Sequence, residues 1–142
     1  MVDLRADQRR VVARDFFVYQ QNFLALAPAG QATGNINIQA DSDFELNKLT
    51  VFADISAAAQ TNNTRVIPLV NIQITDTGSG RNLLEPDVPV PNLFGQGDLA
   101  FILTSPKIFS AKSTVTLTVT NFDAAVTYNL RFSLIGTKIF YG

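Results

Sequence analysis

A chain of 142 residues is the size of one domain and long enough to bury a core without covalent staples. Eleven Lys and Arg against twelve Asp and Glu leave a net charge of −1, with 16% of residues charged and 46% hydrophobic. Neither sign dominates, which argues against bulk electrostatic binding of nucleic acid or an anionic membrane. Cys and His are both absent. That removes disulfide frameworks, thiolate nucleophiles, Cys-ligated zinc, the Ser-His-Asp triad and the ordinary general base near pH 7. An enzyme is not expected, and no cofactor or metal is implied.

Residues 1–15 interleave Arg5, Arg9, Arg10 and Arg14 with Asp3, Asp7 and Asp15. The spacing suits a short helix or an arm lying on another surface, and equally a solvated terminus. These residues hold no apolar signal-peptide core, and no stretch of the chain approaches the roughly 20 apolar residues of a membrane helix. The expectation is a soluble chain that is not secreted by a signal peptide and has no membrane partner.

From Phe16 onward the period becomes two, the mark of half-buried strands. Asn35-Ile36-Asn37-Ile38-Gln39 alternates strictly, and Leu46 to Ile55 continues with Leu49 and Val51. Val70, Ile72 and Ile74 oppose Asn71, Gln73 and Thr75. Val115, Leu117 and Val119 alternate with four threonines, and Tyr128, Leu130, Phe132 and Leu134 oppose Asn129, Arg131 and Ser133. Strands are expected at 16–26, 35–39, 46–55, 66–75, a short piece near 82–90, 99–104, 113–120 and 126–136. Aromatic residues such as Phe52, Phe101 and Phe132 are expected on core faces. The alanines between Ile55 and Gln60 could make one helical turn. Turn signals fall between the runs, among them Pro28-Ala29-Gly30, Thr77-Gly78-Ser79-Gly80 and Asn121-Phe122-Asp123.

Residues 81–97 carry Pro86, Pro89 and Pro91 among Leu83, Leu84, Val88, Val90, Leu93 and Phe94. Proline donates nothing to a ladder, so this is a long loop or edge segment packed by apolar side chains. About eight antiparallel strands without a helical crossover predict an all-β, two-sheet sandwich. A jelly roll leads and an immunoglobulin-type sandwich follows, the latter lacking its Cys and Trp hallmarks. The domain is expected over residues 16–142, with residues 1–15 as an N-terminal arm.

Four constellations bear on chemistry. Asp41, Asp43 and Glu45 share a face if extended and could share a hard cation, but the count of oxygens is short for calcium and a solvated turn is the simpler reading. A carboxylate pair for glycoside hydrolysis would need sugar platforms, and tryptophan is absent. Thr77-Gly78-Ser79-Gly80-Arg81 lacks the phosphate-loop pattern and reads as a hairpin turn. Asn62-Asn63-Thr64 matches a glycosylation sequon without a secretory signal to give it weight. The closing Ile139-Phe140-Tyr141 either completes the last strand or buries its aromatics against another subunit. Leu93 and Phe94, at the crest of the Pro-rich loop, raise the same choice.

The segments Val88-Pro89-Val90-Pro91-Asn92-Leu93-Phe94-Gly95 and Tyr128-Asn129-Leu130-Arg131-Phe132-Ser133-Leu134-Ile135-Gly136-Thr137-Lys138-Ile139-Phe140 carry a resemblance. Together with the polar strand opening and the Thr-rich strand, the chain resembles the small cement or decoration proteins of tailed-bacteriophage virions. The resemblance runs loosely over residues 16–142. It implies a non-catalytic jelly roll, made in the host cytoplasm, that binds the major capsid protein on the outer capsid surface as a dimer or trimer. It also implies contacts through Arg5, Arg9, Arg10 and Arg14 of the arm, Leu93 and Phe94 of the loop, and Phe140 and Tyr141 of the tail. Other virion parts (collar, tail or fibre attachment) and a carbohydrate- or receptor-binding sandwich are the alternatives.

Overall fold

The alternating runs form strands because each can bury one face, and a computed structural model describes residues 10–56, 66–95 and 99–142. Arg5, Arg9, the alanine turn beyond Ser56 and the 62–64 sequon lie outside the described residues. The strands are β1 (Val11–Leu26), β2 (Gln31–Asn37), β3 (Asp43–Ile55), β4 (Val70–Asp76), β5 (Arg81–Asn82), β6 (Val88–Pro89), β7 (Phe101–Phe109), β8 (Thr114–Asn121) and β9 (Tyr128–Tyr141). One helical turn, α1 (Val90–Leu93), joins β6 to the segment before β7.

The pairings are nested. Strand β4 pairs with β5, β3 with β7, β2 with β8 and β1 with β9, all antiparallel. This is one long antiparallel ribbon. Rolled up, it brings β9 against β3 and β8 against β4. Two sheets result, in the orders β1-β9-β3-β7 and β2-β8-β4-β5, with β6 also on β4. A rolled ribbon whose strands alternate between two facing sheets is a jelly roll.

The core lies between the sheets. Leu46, Leu49, Phe132 and Leu134 from one sheet meet Ile72, Ile74, Leu117 and Val119 from the other. Burying each such side chain favours folding by about 1.5–3 kcal/mol before chain entropy is counted. At the end of the sandwich Lys138 is buried, its Nζ 4.2 Å from the centre of the Phe17 ring and 3.4 Å from Asp41, with Gln39 accepting a hydrogen bond.

Three expectations need correction. The first concerns the arm, because β1 begins at Val11 rather than Phe16, so Arg14 and Asp15 belong to a strand. Ionic side chains are tolerated there because β1 is an edge strand whose outer positions meet water. The second concerns Phe52, which points outward and is exposed. A bulge at Asn47 inserts one residue between Leu46, opposite Gly136, and Lys48, opposite Ile135. That shift exchanges the faces, so inward positions run Phe44 and Leu46, then Leu49, Val51 and Ala53.

The third concerns Phe94 within the Pro-rich segment, which otherwise is the apolar-packed edge segment expected. That segment starts as β5 and β6 on the edge of β4, turns through α1, and delivers Gly95 beside β3, where the Val51 N–H donates to the Gly95 carbonyl at 2.8 Å. The segment thus bridges the two sheets. Phe94 is only 4% exposed and meets Phe132 edge to face, ring centres 4.9 Å apart. Apolar side chains on an irregular backbone have no period that reveals which way they point, so the sequence left Phe94 open to either side and only the resemblance put it at an interface. It is a core residue.

Candidate functional site

The two outer faces differ in chemistry. On the β2-β8-β4 sheet, β2 presents Gln31, Thr33, Asn35 and Asn37 opposite Thr120, Thr118, Thr116 and Thr114 of β8. Asn71, Gln73 and Thr75 of β4 flank the same threonines on the other side. Cross-strand hydrogen bonds tie the columns together. The Thr116 hydroxyl donates to Asn35 at 2.9 Å, the Thr114 hydroxyl to Asn37 at 3.0 Å and the Thr75 hydroxyl to Asn82 at 2.7 Å. These three columns bear no charge, and much of their hydrogen-bonding capacity is already used between neighbours.

The outer face of the other sheet is mixed. Across it run Phe16 of β1, Thr137 of β9, Glu45 of β3 and Ile108 of β7; the next row is Val18, Ile135, Lys48 and Ile102. Phe16 is 75% exposed and Ile102 65%, with Phe52 further along β3. Arg14 reaches across β9 to Glu45, 3.9 Å away.

Arg10 is exposed just before β1, and its carbonyl accepts the Gly142 N–H at 2.9 Å. Phe140 and Tyr141 are half-buried within β9, opposite Ala13 and Val11. The tail therefore completes its own last strand. Arg10, Arg14, Phe140 and Tyr141 gather at one end of the β1–β9 ladder. Leu93 and Phe94 do not join them: Leu93 is half-buried in α1 and Phe94 lies in the core. Sequence reasoning missed Phe16, Val18, Ile102 and Ile108. Its available signal was the run Phe16-Phe17-Val18-Tyr19, apolar on both faces of one strand, a pattern of strands covered on both sides.

The carboxylates are engaged apart from one another. Asp41 pairs with Lys138, Asp43 accepts the Ala111 N–H at 2.9 Å, and Glu45 pairs with Arg14. Among the described residues no three carboxylates converge to hold a metal. The 77–80 turn closes the β4–β5 hairpin, where the buried Asp76 accepts the Gly78 N–H at 3.0 Å and the Ser79 hydroxyl at 3.1 Å and lies 3.5 Å from Lys107. A cleft of about 260 Å³ opens between the sheets beside β7, lined by leucines including Leu46, Leu83 and Leu103 with Lys107.

A second polar cluster sits at the β8–β9 connection. Asp123 accepts the Ala125 and Val126 N–H groups at 2.9 and 3.1 Å and the Tyr128 hydroxyl at 2.8 Å. The Ala125 N–H, then the Tyr128 hydroxyl, hold its carboxyl below the usual carboxylate range. Burial, followed by the hydrogen bond to Asp123, pushes the Tyr128 hydroxyl up. The cluster is a turn clasp.

By sequence, the chain matches no family model and no curated protein. Among solved structures it is similar to the exo-beta-1,3-galactanase of Phanerochaete chrysosporium solved with galactose, at 14% identity and a TM-score of 0.34. The match covers 93% of this chain and 32% of that one, so the chain spans about a third of that enzyme. A likeness of that strength says nothing about activity.

Proposed function

We propose that this chain is a non-catalytic structural component of a virion, a cement protein that binds and stabilises the outer surface of a tailed-phage capsid. The observation that carries the reading is the division of its surfaces. One sheet face is an uncharged, internally hydrogen-bonded ladder, and the other exposes Phe16 and Val18 on β1, Phe52 on β3 and Ile102 and Ile108 on β7 around Thr137, Glu45 and Lys48. Large apolar groups exposed among a few polar ones suit burial against protein. The resemblance of the Pro-rich segment and closing strand to decoration proteins supports the same reading. Phe94 belongs to the core and drops out of the attachment surface. The surface is then the outer face bearing Phe16, Ile102 and Ile108, with Arg10, Arg14, Phe140 and Tyr141 at its end; Arg5 and Arg9 would extend it.

The test is co-sedimentation of the chain with tailed-phage capsids prepared free of decoration protein, followed by electron cryomicroscopy of the pellet. Regular extra density on the capsid surface is expected, lost for the folded variant Ile102→Glu/Ile108→Glu. Density confined to a collar or tail would make it another virion part. Indifference to every capsid, together with specific binding on a glycan array, would replace this reading with a carbohydrate-binding module.

A further inference from the structure

Sheet edges are open rows of N–H and C=O groups, and proteins blunt them with brevity, proline, lysine, bulges or polar side chains. Among the described residues the two sheets have four edges, and three are blunted. Strand β5 is two residues long, and its neighbour β6 ends in Pro89. Strand β7 carries Pro106 and Lys107, and its register with β3 jumps from Lys107 opposite Leu46 to Ile102 opposite Lys48, looping out the residues between. Strand β2 is seven residues long, has Gly34 at its centre and exposes Gln, Thr and Asn.

The fourth edge, β1, lacks brevity, proline and lysine; its bulges fall only near its ends, between Val11 and Ala13 and between Phe23 and Leu26, and its polar run is Gln20 to Asn22. It is sixteen residues long and contains no Pro, Lys or Gly. Its register with β9 runs unbroken from Ala13 to Phe23, a straight ladder about 35 Å long. Among the described residues β1 has a ladder with β9 alone; β2 comes beside it where Gly34 meets the Gln21 side chain, but the two share no ladder, so the β1 edge at Phe16 to Val18 has no strand paired on its other side. Val12, Phe16, Val18 and Leu24 are all exposed on it, while Tyr19 and Phe23 fill the core from the opposite face. A stretch apolar on both faces, Phe16 to Tyr19, on an edge without proline or lysine invites cover.

We infer that β1 pairs antiparallel with β1 of a second copy of this chain across a two-fold axis, joining two four-stranded sheets into one of eight strands. The residues of β1 favour a copy of itself as occupant. A two-fold at Phe16 sets Phe16 opposite Phe16 of the second copy, and a two-fold at Phe17 sets Phe16 opposite the second copy's Val18. The second register extends the apolar row that Val18 and Ile135 begin, whereas the first sets Val18 opposite the second copy's Arg14, so the axis at Phe17 is the better one. A two-fold at Arg14 or Asp15 would set like charges directly opposite one another, so the one Arg and one Asp of the strand act as register guards. Self-complementarity about a single axis is what an isologous dimer requires. This pairing stands independently of the capsid reading; if both hold, the dimer presents two attachment faces side by side.

The experiment is sedimentation equilibrium on the full chain up to about 100 μM, joined with amide hydrogen exchange. The wild type is expected to be dimeric, with slow exchange at every second amide of Ala13–Phe23 that β9 does not take. Phe16→Lys/Val18→Lys places four lysines at the seam. It is expected to stay folded by circular dichroism and to weaken self-association by about a hundredfold or more. Thr33→Lys/Asn35→Lys, on the β2 edge, is expected to leave the dimer intact. A wild type that is monomeric at the highest concentration overturns the inference. So does a trimer, or a dimer whose open β1 amides exchange freely. A monomer with those amides protected would show the edge covered by the chain itself and would equally overturn it.

Discussion

Single residues tie the jelly roll together where strands end, and Asn121 is the clearest of them. It is 1% exposed, and its Nδ2 donates to the Leu26 carbonyl at 3.0 Å and to the Val126 carbonyl at 2.8 Å. Its Oδ1 accepts the Asp123 N–H at 2.8 Å. Three backbone groups from the end of β1 and the β8–β9 connection thus depend on one amide. Asn121→Ala leaves them unpaired and is expected to cost about 2–4 kcal/mol, read as a lower denaturant midpoint at unchanged slope. Asp123 next door responds to pH. Its carboxyl titrates lower in the folded chain than unfolded, so it stabilises the fold above the carboxylate range and loses that contribution as pH falls through it. The raised Tyr128 hydroxyl has the opposite sense, its contribution present at neutral pH and lost as pH rises through its folded value. Tyr128→Phe removes one donor, and a carboxyl-carbon NMR titration is expected to show Asp123 moving back up toward the ordinary range.

Strands show where periodicity suffices and where it fails. In β4, β8 and the first half of β9 the inward and outward residues follow the alternation read from the sequence, because each strand is straight and covered on one face. In β3 the bulge at Asn47 breaks the count, and nothing in a one-dimensional pattern marks where an extra residue is absorbed. Its structural partner is Gly136 on β9, where an added Cβ would run into the Glu45 carbonyl oxygen and stand 3.0 Å from the Phe44 ring. Gly136→Ala is therefore expected to cost about 3 kcal/mol, as overpacking against backbone cannot be relieved by a rotamer change. Gly80→Ala makes the contrast: its φ is +69° but nothing lies within 4 Å, so only backbone strain of about 1 kcal/mol is expected. Thermal melts of both variants separate space from conformation. The attachment residues were less legible than the strands. Leu93 and Phe94 were read as a crest because proline breaks every period around them, and the ends of β1 and β9 because ladder pairing across 130 residues leaves no local trace.

The whole molecule is a ribbon rolled until its first and last strands meet, and that closure leaves β1 at an edge and the β7 face beside the Pro-rich bridge. Charge does little of the outward work. The ladder face is uncharged across three strands, and on the mixed face Arg14 pairs with Glu45 while Lys48 and Arg131 stand exposed among neutral and apolar groups. With a net charge of −1 the molecule has no field to steer it onto a partner. Adhesion must then come from close packing of neutral and apolar groups, which salt scarcely screens, whereas an attachment resting on the arginines would fade once the Debye length falls to about 3 Å at 1 M salt. Capsid binding measured by co-sedimentation is therefore expected to change less than about threefold between 0.1 M and 1 M NaCl, the two limits of that screening range. A steep loss over the same range would move the attachment from the Phe16, Ile102 and Ile108 face to the basic N-terminal residues, while leaving the β1 edge as the place where two copies meet.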